Sequence, residues 1–286
     1  MKDKILQTMI QAEEASKTNT KLFLESANSL FNFMGKLDFI EKAINEMTLL
    51  PRYVKEDVSY LHLKTKDENA INHIALPMLC FCDINLHQLK YHLDTYGHCG
   101  IGINKQWAID NYGVQPVNYI SKDSPVMNDL SIGFNSFWKN SEEDNPDEGN
   151  ALLTILKYSK PVFGNMVEKK DGISDPNGEF KPKNFYDEHE WRYIPRITPG
   201  SNFEFLNDGL PDQQILMDPD RLNILSDSIK DKMKLSLDNI NYIFVKNDQD
   251  VHELSKFIMN CERLNESCRI SLLTKIINLE KLEEDV

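Results

Sequence analysis

Residues 74–82, with the sequence IALPMLCFC, form the short apolar run from which the fold class follows. A run of this length predicts a strand, and Pro77 inside it predicts an edge position or a bulge, because proline lacks the N–H that a sheet ladder needs. Asp83 directly follows and resembles a helix N-cap, whereas Gly97 resembles a helix end. We therefore predict a helix over residues 86–96, so that a strand is followed at once by a helix.

On the N-terminal side, residues 30–33 predict a short strand that leads into a helix with its apolar residues at helical spacing between 37 and 47. Pro51 predicts the end of that helix, and we expect residues 52–56 to form a turn or loop. On the C-terminal side, residues 99–103 alternate glycine with apolar residues. This pattern is typical of a strand that another backbone or a ligand approaches closely.

Further along the chain, we predict a helix between residues 126 and 137, an acidic loop over 141–150 and a helix over 151–158. Residues 189–194 alternate as a strand does, which places Glu190 and Arg192 on the same face of a sheet. The remaining sequence predicts an αβαβ-like tail, whose first helix is capped by Asp218.

This order of elements predicts an α+β fold, with a mixed, mostly antiparallel sheet flanked by helices. We expect three parts: a leading helix over residues 1–20, a core domain over 21–210 that carries the site, and an extension of the same domain over 211–286. No internal repeat interrupts this order.

Composition and charge narrow the class of protein. The chain has 286 residues, 41% of them hydrophobic, with 32 Lys and Arg against 45 Asp and Glu and a net charge of −13. Such a charge repels phosphate backbones, so nucleic acid is not expected as a partner except as a target for modification. We find no membrane-length apolar run and no signal peptide, and five cysteines suggest reduced thiols. We therefore expect a cytoplasmic protein that has no contact with membranes.

Cysteines and histidines crowd between Cys80 and Cys99, which suggests a metal site, because zinc prefers thiolate and imidazole ligands. The spacing contradicts this interpretation. His87 and His92 lie five residues apart on the predicted helix, and there is no C-x₂-C or H-x₃-H pair. We therefore expect no metal.

The segment from Tyr96 to Gly102 contains three glycines, with Lys105 just after it. Glycines expose backbone amides to the polar groups of a ligand. The segment is neither a Walker loop nor a dinucleotide fingerprint, because it lacks G-K-[ST] and does not open a helix. The alternative is a tight turn packed under a neighbouring element.

Residues 188–192 place carboxylate, imidazole, indole and guanidinium groups together. One interpretation is structural, in which Arg192 pairs with Glu190 or Asp83 because buried charges need partners. The other is functional, in which Glu190 stabilises a developing cation while Arg52 or Arg192 binds an anionic group such as a pyrophosphate.

The order of these motifs resembles the AbiGi family of bacterial abortive-infection, or phage-defence, proteins. The resemblance spans about residues 22–280, and its motifs are Leu30-Phe31-Asn32-Phe33, Leu50-Pro51-Arg52-Tyr53, Glu56, residues 77–84, His92, Tyr96-Gly97, Gly100-Ile101-Gly102, Lys105, Pro116-Val117, Tyr119, Glu188 and Glu190-Trp191-Arg192. The resemblance implies a cytoplasmic bacterial protein, the antitoxin-like half of a two-gene system beside a nucleotidyltransferase-like toxin. A protein partner is therefore expected.

The layout of strands and polar residues is also similar to the ADP-ribosyltransferase superfamily, including DarT-like toxins. This resemblance implies NAD as a substrate, with Asn32 against its ribose or nicotinamide, Arg52 on its pyrophosphate and Glu190 stabilising the ribosyl cation. The substrate-binding set implied in full is Asn32, Arg52, Tyr53, Asp83, His92, Tyr96, Gly97, Gly100, Lys105, Tyr119 and Arg192, with Glu190 as the catalytic residue.

Two functions follow as hypotheses. The first is a defence enzyme that uses NAD to modify a host or phage target. The second is a non-enzymatic antitoxin or regulator that binds a toxin or a phage product through acidic surface, with residues 142–148 and 283–285 as the candidate segments. A DNA-binding regulator is disfavoured by the net charge.

Overall fold

The computed structural model describes residues 27–140, 146–167, 169–170, 173–174, 180–197 and 203–284. The leading helix predicted over residues 1–20 lies outside the described residues, as do residues 142–145 and 285 of the two acidic candidate segments. The α-helices are α1 (Leu37–Glu46), α2 (Lys90–Tyr96), α3 (Lys105–Tyr112), α4 (Pro125–Asn140), α5 (Pro146–Lys157), α6 (Pro211–Gln214), α7 (Pro219–Asp227), α8 (Asp248–Asn260), α9 (Glu266–Leu273) and α10 (Leu279–Glu284). Single 3₁₀ turns are Ser59–Leu61, Leu86–Gln88, Phe185–Glu188 and Ile215–Met217.

The strands fall into one large sheet and several two-stranded ladders. In chain order they are β1 (Ser29–Met34), β2 (Thr48–Leu49), β3 (Arg52–Asp57), β4 (Leu63–Lys64), β5 (Ala70–Ile71), β6 (His73–Cys82), β7 (Cys99–Asn104), β8 (Gln115–Pro116), β9 (Asn118–Ile120), β10 (Ser159–Pro161), β11 (Phe163–Val167), β12 (Lys169–Lys170), β13 (Ile173–Ser174), β14 (Phe180–Asn184), β15 (Glu190–Tyr193), β16 (Leu206–Asn207), β17 (Met233–Lys234), β18 (Ile240–Val245) and β19 (Ile276–Asn278).

The large sheet has nine strands in the order β19-β18-β7-β1-β6-β15-β8, and β3 and β16 also pair with β6. All of its pairs are antiparallel except β18 with β19. Helices cover the sheet, so the predicted α+β class with a mixed, mostly antiparallel sheet is confirmed. The boundaries between the three predicted parts of the chain stay a prediction.

Strand β6 lies inside this sheet, between β1 and β15, so it is not an edge strand as a whole, and the edge position predicted from Pro77 holds only locally. Residues 76–78 have a strand partner on one side only, which is β3, because β15 pairs from Leu79 onward and β16 pairs at Ala75 and Ile74. Tyr53, the partner of Pro77, donates its N–H to Ser226 Oγ (2.8 Å). A proline is therefore tolerated here, since its missing N–H removes no ladder bond.

Alternation along β6 divides the core between the two faces of the sheet. Leu79 and Phe81 pack with Leu30 of β1 and with α1 and α8 in the largest apolar cluster. Leu76 and Met78 point to the other face, where they pack beneath α4. Two separate apolar layers thus cover the two faces of β6. Because both faces are buried, polar side chains on this strand must find partners inside the protein.

Three local predictions need correction. Residues 52–56 form strand β3 and not a loop, because they pair along β6 from Arg52–Met78 to Asp57–His73. Helix α5 begins at Pro146, so the end of the predicted acidic loop is helical. Asp83 does not cap a helix, since its carboxylate pairs with Lys105.

The C-terminal third extends the sheet as predicted, with β18 pairing with β7 and β19 pairing with β18. Asp218 caps α7 by accepting hydrogen bonds from the N–H groups of Asp220 (3.0 Å) and Arg221 (3.4 Å). In the part of the chain that the structure describes, no helix combines the length and apolarity needed to cross a membrane.

Candidate functional site

Strand β15 places Glu190 and Arg192 on one face of the sheet, opposite Cys82 and Cys80 of β6. This confirms the alternation predicted from the sequence. Both side chains point into the protein: Glu190 is 5% exposed and Arg192 is 0% exposed. Charged groups this deeply buried require ionic partners, because leaving either one unpaired costs several kcal/mol.

Arg192 has three partners. Its Nε donates to Glu190 Oε1 (2.7 Å), its Nη2 to Glu56 Oε2 (2.8 Å) and its Nη1 to the carbonyl oxygen of Lys157 (2.9 Å). A planar guanidinium suits this arrangement because its donors point in fixed directions. The predicted pairing of Arg192 with Glu190 is therefore confirmed.

Lys160 of β10 connects the two buried glutamates. Its Nζ donates to Glu190 Oε2 and to Glu188 Oε2, at 2.7 Å in both cases, and it lies 4.6 Å from the centroid of the Phe185 ring. The strand that carries Lys160 reaches this position by parallel pairing with β9. One cation therefore links β10 to the start of β15.

Glu188 occupies the far side of this network. Tyr96 donates its hydroxyl hydrogen bond to Glu188 Oε1, and Lys183 Nζ lies 3.4 Å from the same oxygen. Lys183 also lies 5.1 Å from the centroid of the Tyr96 ring, and His92 stacks on that ring with centroids 4.3 Å apart. Tyr96 and His92 of α2 thus line the same charged cluster as β15.

The charges of this cluster balance. Three carboxylates (Glu56, Glu188 and Glu190) face three cations (Lys160, Lys183 and Arg192). We call these six residues the buried charge cluster. An equal number of opposite charges in contact is what a stable buried network requires.

The environment shifts several pKa values in this region. Burial alone raises the pKa of Glu190, but the charges and hydrogen bonds of Arg192 and Lys160 outweigh it and hold that pKa well below its usual range. Burial favours neutral Lys160, yet Glu190, Glu56 and Glu188 together raise its pKa well above the ordinary value. Burial lowers the pKa of His92 to about 4. Glu190 is therefore ionised and His92 neutral at pH 7.

Tyr119 supports this strand through its hydroxyl, which accepts a hydrogen bond from the backbone N–H of Glu190 (2.7 Å). Burial raises the pKa of Tyr119, so the hydroxyl stays protonated. Its ring meets Tyr186 edge to face with centroids 5.4 Å apart. The predicted binding residue Tyr119 thus contacts the backbone of the predicted catalytic residue.

Asp83 and Lys105 form a separate buried pair beside Trp191. Their side chains are in direct ionic contact, and Lys105 Nζ lies 5.0 Å from the centroid of the Trp191 ring. Trp191 alternates with Glu190 and Arg192 along β15, so it points to the other face of the sheet. This pair therefore lies apart from the buried charge cluster.

Asn32 also points away from Glu190. Cys82 pairs with Phe31 on one side and with Glu190 on the other, so these three side chains lie on the same face of the sheet. Asn32 follows Phe31 in β1, so its side chain lies on the opposite face. Asn32 Nδ2 donates to the carbonyl oxygen of Cys80 (2.8 Å) and thereby ties β1 to β6.

Arg52 and Tyr53 contact α7 and not the buried charge cluster. Arg52 Nη2 donates to Asn223 Oδ1 (2.7 Å), and its Nη1 lies 4.0 Å from Asp227. The Tyr53 hydroxyl donates to the carbonyl oxygen of Phe203, and burial raises the pKa of Tyr53 to about 12. The structure thus does not bring Arg52 and Glu190 into one ion-pair network.

The two predicted site glycines are explained by packing. Gly97 ends α2 with φ +98°, and a Cβ there would lie 2.5 Å from the Met34 carbonyl oxygen. A Cβ at Gly100 would lie 2.7 Å from the Phe33 ring, which covers it. Gly97 therefore ends a helix and Gly100 lies in strand β7, so the packing under a neighbouring element is observed but the tight turn of that alternative is not.

No group of three or more potential metal ligands occurs among the described residues. All five cysteines are free thiols, and burial raises the pKa values of Cys80 and Cys82 well above the ordinary value. Both thiols therefore stay protonated at pH 7.

Neither Lys160 nor Lys183 was identified from the sequence as part of this site. Lys160 lies 28 and 30 residues before its two partners, and no local pattern connects them. Glu56 was quoted only as part of a motif, because its contact with Arg192 spans 136 residues. The sequence around Lys160, Tyr158-Ser159-Lys160-Pro161-Val162, carries no pattern that identifies a partner.

Comparisons with known proteins agree on one family. The family model described as "Putative abortive phage resistance protein AbiGi, antitoxin" matches residues 47–246. A protein of Lactococcus lactis subsp. cremoris, named abortive phage resistance protein AbiGi, is 31% identical over 260 residues, which cover 84% of this chain and 100% of that protein. No solved structure matches the chain. The chain belongs to the AbiGi family.

Proposed function

We propose that this protein acts in anti-phage defence as a non-catalytic antitoxin that binds a protein partner. The observation that supports this proposal is that both oxygens of the Glu190 carboxylate already accept hydrogen bonds from other side chains of the protein. Oε1 accepts from Arg192, and Oε2 accepts from Lys160 and, at 3.4 Å, from Arg192 as well. A carboxylate that stabilises a cationic transition state needs an oxygen free to face it.

The positions of the other candidate residues support the same role. Asn32 points to the opposite face from Glu190, and Arg52 binds side chains of α7. The description of the matching family model includes the word antitoxin, and we carry that role over as part of the proposal.

The alternative is an ADP-ribosyltransferase-like effector that uses NAD, with Glu190 as its catalytic residue. It requires the contacts of Glu190 with Lys160 and Arg192 to open when NAD binds. Purified protein incubated with NAD and cell extract distinguishes the two. The antitoxin role expects neither nicotinamide release nor a thermal shift on adding NAD, and either response would favour the enzyme.

An exposed aromatic patch, which we define as Phe163 and Tyr186, is our candidate for the partner-binding surface. Phe163 is 71% exposed and Tyr186 is 53% exposed. The backbone N–H of Phe185 donates a hydrogen bond to the carbonyl oxygen of Val162 (2.8 Å). Phe163 follows Val162 in the chain and Tyr186 follows Phe185, so the two aromatic residues lie in the same region. Exposed aromatic side chains are enriched at the centres of protein interfaces.

The test uses growth of cells that express the protein encoded beside this chain, which the family resemblance implies is a toxin. We expect that protein alone to arrest growth and co-expression of this chain to restore it, with the two proteins co-purifying. The double substitution Phe163→Ser and Tyr186→Ser should abolish rescue and lower affinity about tenfold or more. Ile215→Ser is the matched control, since Ile215 is 65% exposed in the 3₁₀ turn after α6.

Two results would contradict the proposal. One is growth arrest by this chain alone, which is the behaviour of a toxin. The other is full rescue by a folded chain that cannot bind the neighbouring protein. Circular dichroism of each variant establishes that it is folded before its rescue is scored.

A further inference from the structure

A cavity of about 100 Å³ opens where α1, β3 and α7 meet. Lys42 of α1, Arg52 of β3 and Lys232, just before β17, line it together with Asp227 of α7. The rest of its wall is formed by three apolar residues and one serine, which are Leu50, Pro51, Ile229 and Ser226. Cationic side chains therefore outnumber the carboxylate at this cavity by three to one.

This local excess of positive charge contrasts with the net charge of −13 for the whole chain. Arg52 is oriented by Asn223 (2.7 Å), and Asp227 lies 4.0 Å away from it. Lys232 lies 3.6 Å from Glu46. Lys42 has no hydrogen-bond or ionic partner among the described residues. With Glu46 counted beside Asp227, three cations face two carboxylates, and a bound anion would neutralise the positive charge that remains.

We propose that this cavity binds the phosphoryl group of a small phosphorylated molecule. Its volume of about 100 Å³ is well below the roughly 300–1,000 Å³ of pockets that enclose a whole small ligand, so it suits one end group. Arginine offers a planar pair of donors to phosphate oxygens, and lysine adds a mobile point charge. Nucleic acid is disfavoured, because the net charge of −13 repels a phosphate backbone.

The proposal is independent of the antitoxin role and of Glu190. It separates the two halves of the site expected from the sequence, since Arg52 binds an anion here while Glu190 belongs to the buried charge cluster. The site is open to solvent, because Arg52 keeps a side-chain exposure of 47%. We therefore expect fast, reversible binding.

Isothermal titration calorimetry with inorganic phosphate and, separately, adenosine monophosphate tests the proposal at constant ionic strength, with sodium acetate as the control anion. We expect saturable binding of both phosphates and none of acetate. Equal affinities would identify phosphate alone as the recognised group, and tighter binding of the nucleotide would show that contacts extend beyond the cavity. Absence of saturable binding for both would overturn the proposal.

Single substitutions test whether phosphate binds in this cavity. Lys42→Gln should weaken phosphate binding about tenfold, and because the Lys42 side chain makes no hydrogen bond or ion pair among the described residues this variant should fold normally. Asp227→Asn removes the competing carboxylate and should tighten binding several-fold. Lys55→Gln is the matched control, since Lys55 is an exposed lysine of the same strand as Arg52 outside the cavity. Equal affinities of the Lys42 and Lys55 variants would refute the assignment.

Discussion

Replacing Glu190 by glutamine removes one charge from the buried charge cluster and keeps the shape of the side chain. The Glu190 side chain is 6% exposed and accepts hydrogen bonds from Arg192 and Lys160 at 2.7 Å. After the substitution, Lys160 keeps Glu188 and Arg192 keeps Glu56, so three cations face two carboxylates. Removing one partner of a buried ion pair costs about 3–5 kcal/mol, and we expect about 3 kcal/mol because both cations keep a partner.

Urea denaturation followed by circular dichroism measures this loss. With an m-value of about 3 kcal/mol/M, the midpoint should fall by about 1 M. Glu68→Gln is the matched control, because Glu68 also contacts two lysines, Lys64 (2.9 Å) and Lys139 (3.3 Å), but its side chain is 56% exposed. Solvent screens such surface pairs, so the control should leave the midpoint nearly unchanged. A midpoint for the Glu190 variant equal to that of the control would refute the reasoning.

The effect should also depend on pH. The folded protein holds the pKa of Glu190 below its ordinary value of 4.5, so the stabilisation is fully present above that value and declines as pH falls below it. Wild type and Glu190→Gln should therefore differ most at neutral pH and converge in acid. A difference that stays constant from pH 7 to strongly acidic conditions would show that the charge is not its source.

Three further predictions concern single positions. Gly97→Ala should lower the free energy of unfolding by at least about 2 kcal/mol in urea melts, because the added Cβ meets Met34, whereas Gly113→Ala, with φ +61° and open space, should cost only about 1 kcal/mol. The His92 ring should titrate by NMR with a midpoint near 4 and not near 6.5, so that stability declines as pH falls between these values. Asp218→Ala should cost about 1 kcal/mol of stability, because it removes the cap of α7.

Elements with a strong local pattern could be predicted from the sequence. Alternating glycine and apolar residues in β7 and the apolar run of β6 indicated strands correctly, and period-2 alternation placed Glu190 and Arg192 on one face. These signals survive because burial on a sheet acts on every second residue.

Elements stabilised by distant partners could not be predicted. Strand β3 has the sequence RYVKED, which lacks the apolar content of a typical strand, and it forms because it pairs with β6 and packs on α7. Asp83 looks like a cap locally, but Lys105, 22 residues later, binds its carboxylate. In both cases a tertiary contact overrides a local preference.

The candidate site shows the same division. The pairing of Glu190 with Arg192 follows from two neighbouring positions in one strand, whereas the contacts with Lys160 and Glu56 depend on chain topology. The roles of the predicted NAD-binding residues stay predictions. What the sequence could not reveal is that both oxygens of Glu190 are occupied by protein donors.

The ends of the large sheet limit how another protein can attach to it. The outermost strands β19 and β8 have three and two residues, and β8 contains Pro116, which offers no N–H. The outer side of β3 is covered by α7, whose Ser226 accepts the Tyr53 N–H. Long unpaired strand edges are what chains use to add a strand to a sheet, and short, proline-containing or covered edges prevent it. These edges of the large sheet therefore disfavour a partner that binds by adding a strand to them.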